Sequence, residues 1–262
     1  HPKLRLYFLP TYPVRLDWST PHNLIDSAIS ALLRNRTDPI GHVNEEIDCG
    51  DGNPQLLGAV GAGAGPISNL LLQEKVGFSL LERGWTGSLE ERASIFKNFG
   101  ARGKDARQMS VVTFLISPRA CARLAEYARR YAAETRPMYY GFAPRPRRRE
   151  GSGCSAFGAS FVEVAGLLTP ELTQAWTTRR LVPLSLMAGH LGKTTVPISE
   201  LRGSPSSGRW SKPEEPHMDL TFFDPDQMYE WVNRLVKNPA ELKALGGEID
   251  SDLPYGISGP AA

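Results

Sequence analysis

The chain has 262 residues, of which 41% are hydrophobic and 22% are charged, a composition typical of one globular domain with a sizeable core. Its 30 basic and 28 acidic residues leave a net charge of +2, so the overall charge gives no reason to expect a nucleic-acid partner. No apolar run approaches the length of a membrane span, and we expect no transmembrane segment. We therefore expect a single domain over residues 1–262.

The first half of the chain alternates predicted strands and helices. Residues 3–10 predict a strand, and residues 19–34 predict a helix that is capped by Thr20 and has Pro21 in its first turn. Residues 40–50 predict a strand that places His42, Asn44 and Glu46 on one face. A strand hairpin is expected over 69–85. A helix is expected over 88–100, with Ser88 and Glu91 as its capping box and Gly100 as its stop.

The second half has the stronger helix signals. A buried strand over 110–116 is followed by a predicted helix over 117–134 with Ser117 as its cap, and then by a long loop over 136–153. An apolar helix is expected over 154–168 and a short one from Thr169 and Pro170. A linker-like stretch covers 202–216 and a strand covers 217–223. Helices from Asp224 to Lys237 and from Asn238 form a predicted C-terminal helical extension, about 224–247, before a loose tail from Glu248.

The three cysteines, Cys49, Cys121 and Cys154, include no CxxC pair, so a structural zinc site is not expected. Two alternatives remain: Cys49 pairs with Cys121 and leaves Cys154 free, or all three are reduced and buried. The chain begins at His1 rather than Met, as expected of an exported protein that has lost a signal peptide, although a deliberate truncation has the same effect. Export predicts an extracytoplasmic location, either periplasmic or secreted.

Cys154 is the residue best placed for covalent chemistry. It follows the turn Gly151-Ser152-Gly153 and opens the predicted apolar helix, where the helix dipole lowers a thiol pKa and backbone amides can hold an oxyanion. The alternative is that Cys154 is a small core residue at the start of a helix. The Gly-rich stretch over 58–66 lacks the dinucleotide-binding spacing, since Pro66 stands where the third Gly is needed, and no cofactor or metal is implied.

The segment GSGCSAFGASFVEVAGL resembles the nucleophile segment of the NlpC-type papain-like cysteine hydrolases, in which a Cys-Ser pair opens a helix packed on a small sheet. In the usual chain order of that superfamily the His strand follows the Cys, which would make His217 the base. In its circularly permuted branch the His strand comes first, which would make His42 the base. The GH at 41–42 and the Tyr-containing loop before Cys154 favour the permuted order. Residues 169–216 also show no strand signal of the kind that precedes the His in the usual order.

The resemblance implies an α+β, papain-like fold with a small antiparallel sheet and packed helices. It also implies a thiol mechanism in which Cys154 attacks a carbonyl, His42 moves the proton and the Cys154 amide helps hold the oxyanion. The family has a third polar residue that orients the His; Asn44 and Glu46 share its face, and Glu82 is a candidate on a neighbouring strand.

The substrate class that the resemblance implies is an amide, either a peptide or a cell-wall (peptidoglycan) peptide. The alternatives are lipid acyl hydrolysis or transfer within the same superfamily, and a non-catalytic secreted binding domain. A His ring nitrogen within about 4 Å of the Cys154 sulfur in an open cleft would separate the hydrolase from the binding domain.

Overall fold

The fold, a computed structural model, is described for residues 1–34, 41–62, 65–102, 108–133, 138–142, 145–190, 192–250 and 256–259, without the side chains of residues 65, 66, 138 and 259. Helices and a mixed sheet confirm the predicted α+β class. The main sheet is larger than expected. In the described residues it has eight strands, in the order β6-β4-β3-β2-β1-β5-β10-β9. Every pairing in it is antiparallel except that of β10 with β5, so the prediction of a small antiparallel sheet is wrong.

The strands of the described residues have the following bounds: β1 Lys3–Leu9, β2 His42–Asp48, β3 Gln55–Gly61, β4 Trp85–Leu89, β5 Ser110–Leu115, β6 Met138–Tyr140, β7 Thr177–Pro183, β8 His217–Phe223, β9 Glu248–Ile249 and β10 Gly256–Gly259.

The α-helices have these bounds: α1 Pro21–Arg34, α2 Gly65–Ser68, α3 Arg92–Arg102, α4 Pro118–Ala132, α5 Cys154–Ala165, α6 Pro170–Trp176, α7 Ile198–Gly203, α8 Pro225–Lys237 and α9 Pro239–Ala244. A π-helical turn covers Asn69–Gln73, and 3₁₀ turns cover Phe78–Leu81, Pro146–Arg148, Leu184–Leu186 and Pro205–Gly208.

Side-chain alternation along β1 explains how the main sheet is covered. Leu4, Leu6 and Phe8 are fully buried on the face against which α4, α5 and α8 pack. Tyr7 and Leu9 point to the other face, where α3 covers them. Because β1 is central and buried on both faces, it holds β2 in a fixed register, with Leu9 opposite His42.

A second, two-stranded sheet pairs β7 with β8 over their whole lengths, with Thr177 opposite Phe223 and Pro183 opposite His217. It belongs to a separate apolar cluster that includes side chains from α1 and α7. Strand β8 was predicted with these bounds, whereas β7 was not expected, so the argument that 169–216 lacks a strand is wrong.

Helix capping follows the sequence signals at several helices, including α1, where the Thr20 hydroxyl accepts the Asn23 N–H at 3.0 Å. Ser117 accepts the Ala120 N–H at the start of α4, and Thr169 accepts the Leu172 N–H at the start of α6. Asp224 caps α8 in the same way. Helix α5 ends at Ala165, three residues before the predicted end, because Gly166 adopts the left-handed conformation and forms its C-cap.

Three predictions about elements are wrong. The expected hairpin over 69–85 is instead a π-helical turn, a 3₁₀ turn and the first residue of β4. Ser88 lies in β4 opposite Val60 rather than at a helix cap, and α3 starts at Arg92 and continues past Gly100. The tail is not uniformly loose, because 256–259 pair with β5.

The predicted C-terminal helices, α8 and α9, contribute Met228, Val232 and Leu242 to the main core. The region therefore completes the core rather than extending from it.

A disulfide joins Cys49, just after β2, to Cys121, in the first turn of α4, with their Cα atoms 5.8 Å apart. This confirms the first of the two cysteine alternatives, because Cys154 is free and buried. In the described part of the chain, no helix combines the length and the apolarity that a bilayer crossing requires.

Candidate active site

Cys154 is the first residue of α5, and two glycines bring it to its position. Gly151 adopts the left-handed conformation, with φ at +106°, and a side chain there would collide with the Tyr139 carbonyl. Gly153 is the N-cap, and a Cβ at this position would lie 2.5 Å from the Gly141 carbonyl oxygen. This close approach sets the Cys154 sulfur against the start of β2, where it lies 3.8 Å from the carbonyl oxygen of Gly41.

His42 opens β2 directly after that carbonyl. The Gly41 N–H donates to the Thr11 hydroxyl at 3.0 Å, and a Cβ on Gly41 would make a tight contact of 3.0 Å with the Pro225 side chain. The His42 imidazole lies within hydrogen-bonding reach of the Cys154 thiol. In chain order, the strand that begins with His42 precedes the helix that begins with Cys154.

Glu90 holds the other side of the imidazole. His42 Nε2 is 2.9 Å from Glu90 Oε2, which leaves Nδ1 as the ring nitrogen available to the thiol. The Asn44 amide donates to the same carboxylate oxygen at 2.9 Å. Asn98 of α3 lies 3.4 Å from the other oxygen. The carboxylate is therefore fixed from two elements while it orients the ring.

The pairing of β3 with β4 brings Glu90 to this place. Ala59 lies opposite Leu89, and the Glu90 N–H donates to the Gly58 carbonyl at 2.8 Å, so the chain carries the carboxylate toward β2 as it leaves β4. Gly58 lies opposite Asn44. A side chain at Gly58 would fill the space where the Asn44 amide meets Glu90, so this contact requires glycine.

Tyr140 of β6 completes the surroundings of the sulfur. Its hydroxyl hydrogen-bonds the Cys154 sulfur and also accepts the backbone N–H of Cys154. Trp85 lies opposite Tyr140 in the sheet, with ring centroids 5.7 Å apart. The hydroxyl is thus held at the N-terminus of α5, beside the Cys154 sulfur.

The electrostatics of the pair favour a thiolate and an imidazolium. Burial raises the pKa of the Cys154 thiol, but the charge and hydrogen bond of His42, with hydrogen bonds from Tyr140 and the Val43 backbone, bring it below its ordinary value. Burial lowers the pKa of His42, whereas Cys154 and then Glu90 raise it, to about 10. Burial raises the pKa of Glu90, and the hydrogen bond and charge of His42 bring it below the usual range.

Glu45 is a second carboxyl close to the pair, on the opposite face of β2. It is fully buried beneath α5, and neither of its oxygens has a hydrogen-bond partner in the described residues. A Cβ on Gly158 of α5 would lie 3.6 Å from one of these oxygens. Burial raises the pKa of Glu45 well above its usual range, which favours the neutral acid over the carboxylate at this buried position.

The structure brings together three of the four predicted site residues, Cys154, His42 and Asn44. It places the fourth, Glu46, elsewhere: Glu46 forms an ion pair with Arg5 of the neighbouring strand and accepts the Tyr7 hydroxyl at 3.2 Å. The carboxylate against His42 is that of Glu90, which the sequence did not indicate.

The two other candidates also lie outside this group. Glu82 follows the 3₁₀ turn Phe78–Leu81 rather than lying on a strand beside β2. His217 begins β8, whereas α5 meets the far end of that strand, where the Ser155 hydroxyl donates to the Phe223 carbonyl. The His217 ring instead donates Nδ1–H to the Glu215 carbonyl at 2.7 Å.

A surface depression of about 510 Å³ lies near the loop that leads to Cys154. Its lining comprises Leu81, Glu82, Gly84, Tyr139, Arg145, Glu150, Met218, Asp219, Leu220 and Thr221. It includes none of Cys154, His42 and Glu90. We assign the site from the geometry of these three residues, because a cavity without a reactive group defines no chemistry.

Cys154 is only 5% exposed, so its sulfur does not lie in the open cleft that was expected. Among the described residues, no group of three His, Cys, Asp or Glu side chains is arranged to hold a metal ion. Comparisons of the chain with protein-family models, curated proteins and solved structures give no match.

Proposed function

We propose that this chain is a cysteine hydrolase that cleaves an amide bond, with Cys154 as nucleophile, His42 as general acid and base, and Glu90 as the residue that orients His42. The observation that carries the proposal is the continuous set of contacts from Asn44 through Glu90 and His42 to a free cysteine at a helix N-terminus. A cysteine paired with a carboxylate-oriented imidazole has the constituents of nucleophilic catalysis.

The reaction has two halves. The Cys154 thiolate attacks the amide carbonyl and forms a C–S bond, and the imidazolium gives its proton to the leaving nitrogen as the C–N bond breaks. Water then attacks the thioester while His42 takes its proton, and the C–S bond breaks to release the acid and the thiolate. Glu90 keeps Nε2 protonated, so that the proton moves at Nδ1 in both halves.

Two donors are available for the oxyanion. The backbone N–H of Cys154 and the Tyr140 hydroxyl lie together at the start of α5, where the helix dipole favours negative charge. The Tyr140 hydroxyl now accepts the Cys154 N–H, so a substrate carbonyl oxygen would replace that contact and then accept a hydrogen bond from each group. This arrangement adds a tyrosine to the backbone amide that the resemblance implies.

The order of the site in the chain supports the circularly permuted papain-like arrangement. His42 opens a strand 112 residues before Cys154, and α5 packs on that strand and on β3. His217, the base of the usual order, lies at the far end of β8. An extracytoplasmic location is part of the proposal, and the Cys49–Cys121 disulfide is compatible with it.

The test is hydrolysis of a panel of peptide amides, including cell-wall peptides, alongside acyl ester lipids. Cys154→Ser should abolish amide cleavage, while the matched Cys49→Ser, Cys121→Ser double variant should keep it. An acyl adduct on Cys154, found by mass spectrometry, should accompany turnover.

Three results would count against the proposal. Faster cleavage of lipid esters than of amides would favour the lipid acyl alternative. Binding of a peptide without an adduct or turnover would favour a non-catalytic binding domain. Cleavage that survives Cys154→Ser would remove the nucleophile from the account.

A further inference from the structure

Arginines are concentrated on one side of the molecule, in α4 and in residues 145–150. Together these two segments contain eight arginines and no lysine. Their own acids are Glu126 and Glu150, and α5 contributes Glu163 beside them. Eight arginines against three glutamates leave a local charge of about +5 in a chain whose total is +2.

The helical repeat places three of these arginines in line. At 100° per residue, Arg119, Arg123 and Arg130 lie within about 40° of one another around α4, and all three are exposed. The row is about 16 Å long, from eleven residues at 1.5 Å each.

The 3₁₀ turn Pro146–Arg148 adds two further arginines beside this row. The Arg147 guanidinium lies over the Tyr127 ring, 5.3 Å from its centroid, and Tyr127 lies about 40° around α4 from Arg123. The Tyr127 hydroxyl is tied to Ser160 of α5 at 2.9 Å. Arg147 and Arg148 are thus held beside the helix, and we call Arg119, Arg123, Arg130, Arg147 and Arg148 the arginine flank.

Ion pairs use only part of this charge. Glu126 pairs with Arg129 and Arg130, and Glu163 lies 3.7 Å from Arg147. Within the described residues, Arg119 and Arg123 form no ion pair, and Arg148 lies near Glu150, whose carboxylate is paired with Arg145. The guanidinium groups of Arg119, Arg123 and Arg148 are therefore available to a ligand.

We propose that the arginine flank binds a linear polymer that carries phosphate groups. Guanidinium groups bind phosphate through two parallel hydrogen bonds, which lysine cannot do, and these two segments carry arginine alone. A narrow row of charge suits a chain better than a plane of lipid headgroups, and no large apolar side chain is exposed on α4 or the 3₁₀ turn for insertion into a bilayer.

A nucleic acid is the less suitable polymer. Binding of single strands relies on aromatic rings on which bases stack, and the aromatic ring of this flank, Tyr127, is half-buried beneath Arg147. A phosphate polymer without bases needs only the guanidinium groups. Because residues 145–153 lead directly to Cys154, a polymer bound here would lie close to the proposed nucleophile.

The experiment is titration of the full chain into end-labelled inorganic polyphosphate, followed by fluorescence anisotropy at several salt concentrations. Binding should weaken with salt, and the triple variant Arg119→Gln, Arg123→Gln, Arg148→Gln should lose about tenfold or more in affinity. Its slope of log K against log salt should fall by about 2, near 0.7 for each lost contact. Replacing the same three arginines with Lys should weaken binding less.

The matched control removes three charges elsewhere, with Lys97→Gln, Lys237→Gln and Lys243→Gln, all of them exposed. It should bind as the unmodified chain does. Thermal unfolding of each variant verifies that it is folded.

Four results would overturn the proposal: no binding to polyphosphate near 0.1 M salt, equal weakening in the control, tighter binding to single-stranded DNA, or tighter binding to phosphatidylglycerol vesicles. Cys154→Ser should leave binding unchanged, so failure here and failure of the proposed hydrolase are distinguishable.

Discussion

Strand β2 carries a cluster of polar side chains at each end, and only one of the two clusters includes a free cysteine. At one end His42 is held by Glu90 and faces a free cysteine. At the other end Glu46 is paired with Arg5 and accepts the Tyr7 hydroxyl. Both clusters are mostly buried, and each contains a side chain with a shifted pKa. At the Glu46 end, burial and then Glu46 raise the pKa of Tyr7 above its ordinary value.

The comparison shows that a perturbed pKa alone does not identify an active site. At the Glu46 end, the carboxylate is occupied by Arg5 and Tyr7, and the cluster has no nucleophile. At the His42 end, the hydrogen bonds lead to the free Cys154 sulfur, next to the Tyr140 hydroxyl. Only this second cluster contains the kind of side chain that the proposed covalent reaction needs.

The largest expected effect is a difference in turnover between variants at the two ends of β2. His42→Ala should reduce amide turnover by about 10²–10⁴-fold, because the proton acceptor and donor is removed. Glu46→Gln should keep most turnover and instead cost about 1–3 kcal/mol of stability, because Arg5 loses its partner. Steady-state kinetics and urea unfolding of the two variants measure both quantities.

His217→Ala is the matched control for removal of a histidine at the start of a strand. It should retain turnover. A loss in His217→Ala as large as that in His42→Ala would restore the usual chain order and contradict the permuted one.

A smaller effect is expected at Glu90. Glu90→Gln should lower turnover by about 10²-fold and lower the pKa of His42, because the carboxylate both orients the ring and stabilises its charge. NMR titration of the His42 ring, with His217 as internal reference, measures the pKa. An unchanged His42 pKa would mean that Glu90 is not the orienting residue.

The smallest effect on chemistry is expected at the disulfide. Replacing Cys49 and Cys121 with Ala should leave turnover within about twofold while lowering stability by about 2–4 kcal/mol, since the link constrains the unfolded chain. Thermal unfolding beside kinetics tests this. A loss of turnover in a folded variant would link the disulfide to the site.

The elements that the sequence predicted correctly have strong local signals. Strand β8 and helices α4 and α8 carry alternating or periodic apolar residues and polar caps, and they were found with nearly correct bounds. Strands β3 and β4 were missed because QLLGAVG and WTGSL are rich in glycine and short. Only their pairing with β2 makes them strands.

The contrast between local sequence signals and dependence on strand pairing also applies to the site residues. Cys154 and His42 were found because a cysteine at a helix start and a histidine at a strand start are visible in the sequence. Glu90 was missed because its position depends on the β2-β3-β4 pairing, and the misplaced capping box had assigned 88–91 to a helix. A correct β4 would have shown a carboxylate leaving a strand near β2. The role of Tyr140 depends on β6 and was anticipated only as a tyrosine in a loop.

The central claim is that Cys154 and His42 form an ion pair. The most direct measurement is the pH dependence of thiolate ultraviolet absorbance, taken as the difference between the unmodified chain and Cys154→Ser and repeated with His42→Ala. We predict that the thiolate absorbance of the unmodified chain rises at a lower pH than that of His42→Ala, because His42 lowers the pKa of Cys154. In His42→Ala it should appear only above the ordinary thiol pKa of about 8.5. Thiolate absorbance that rises at the same pH with and without His42 would contradict the account.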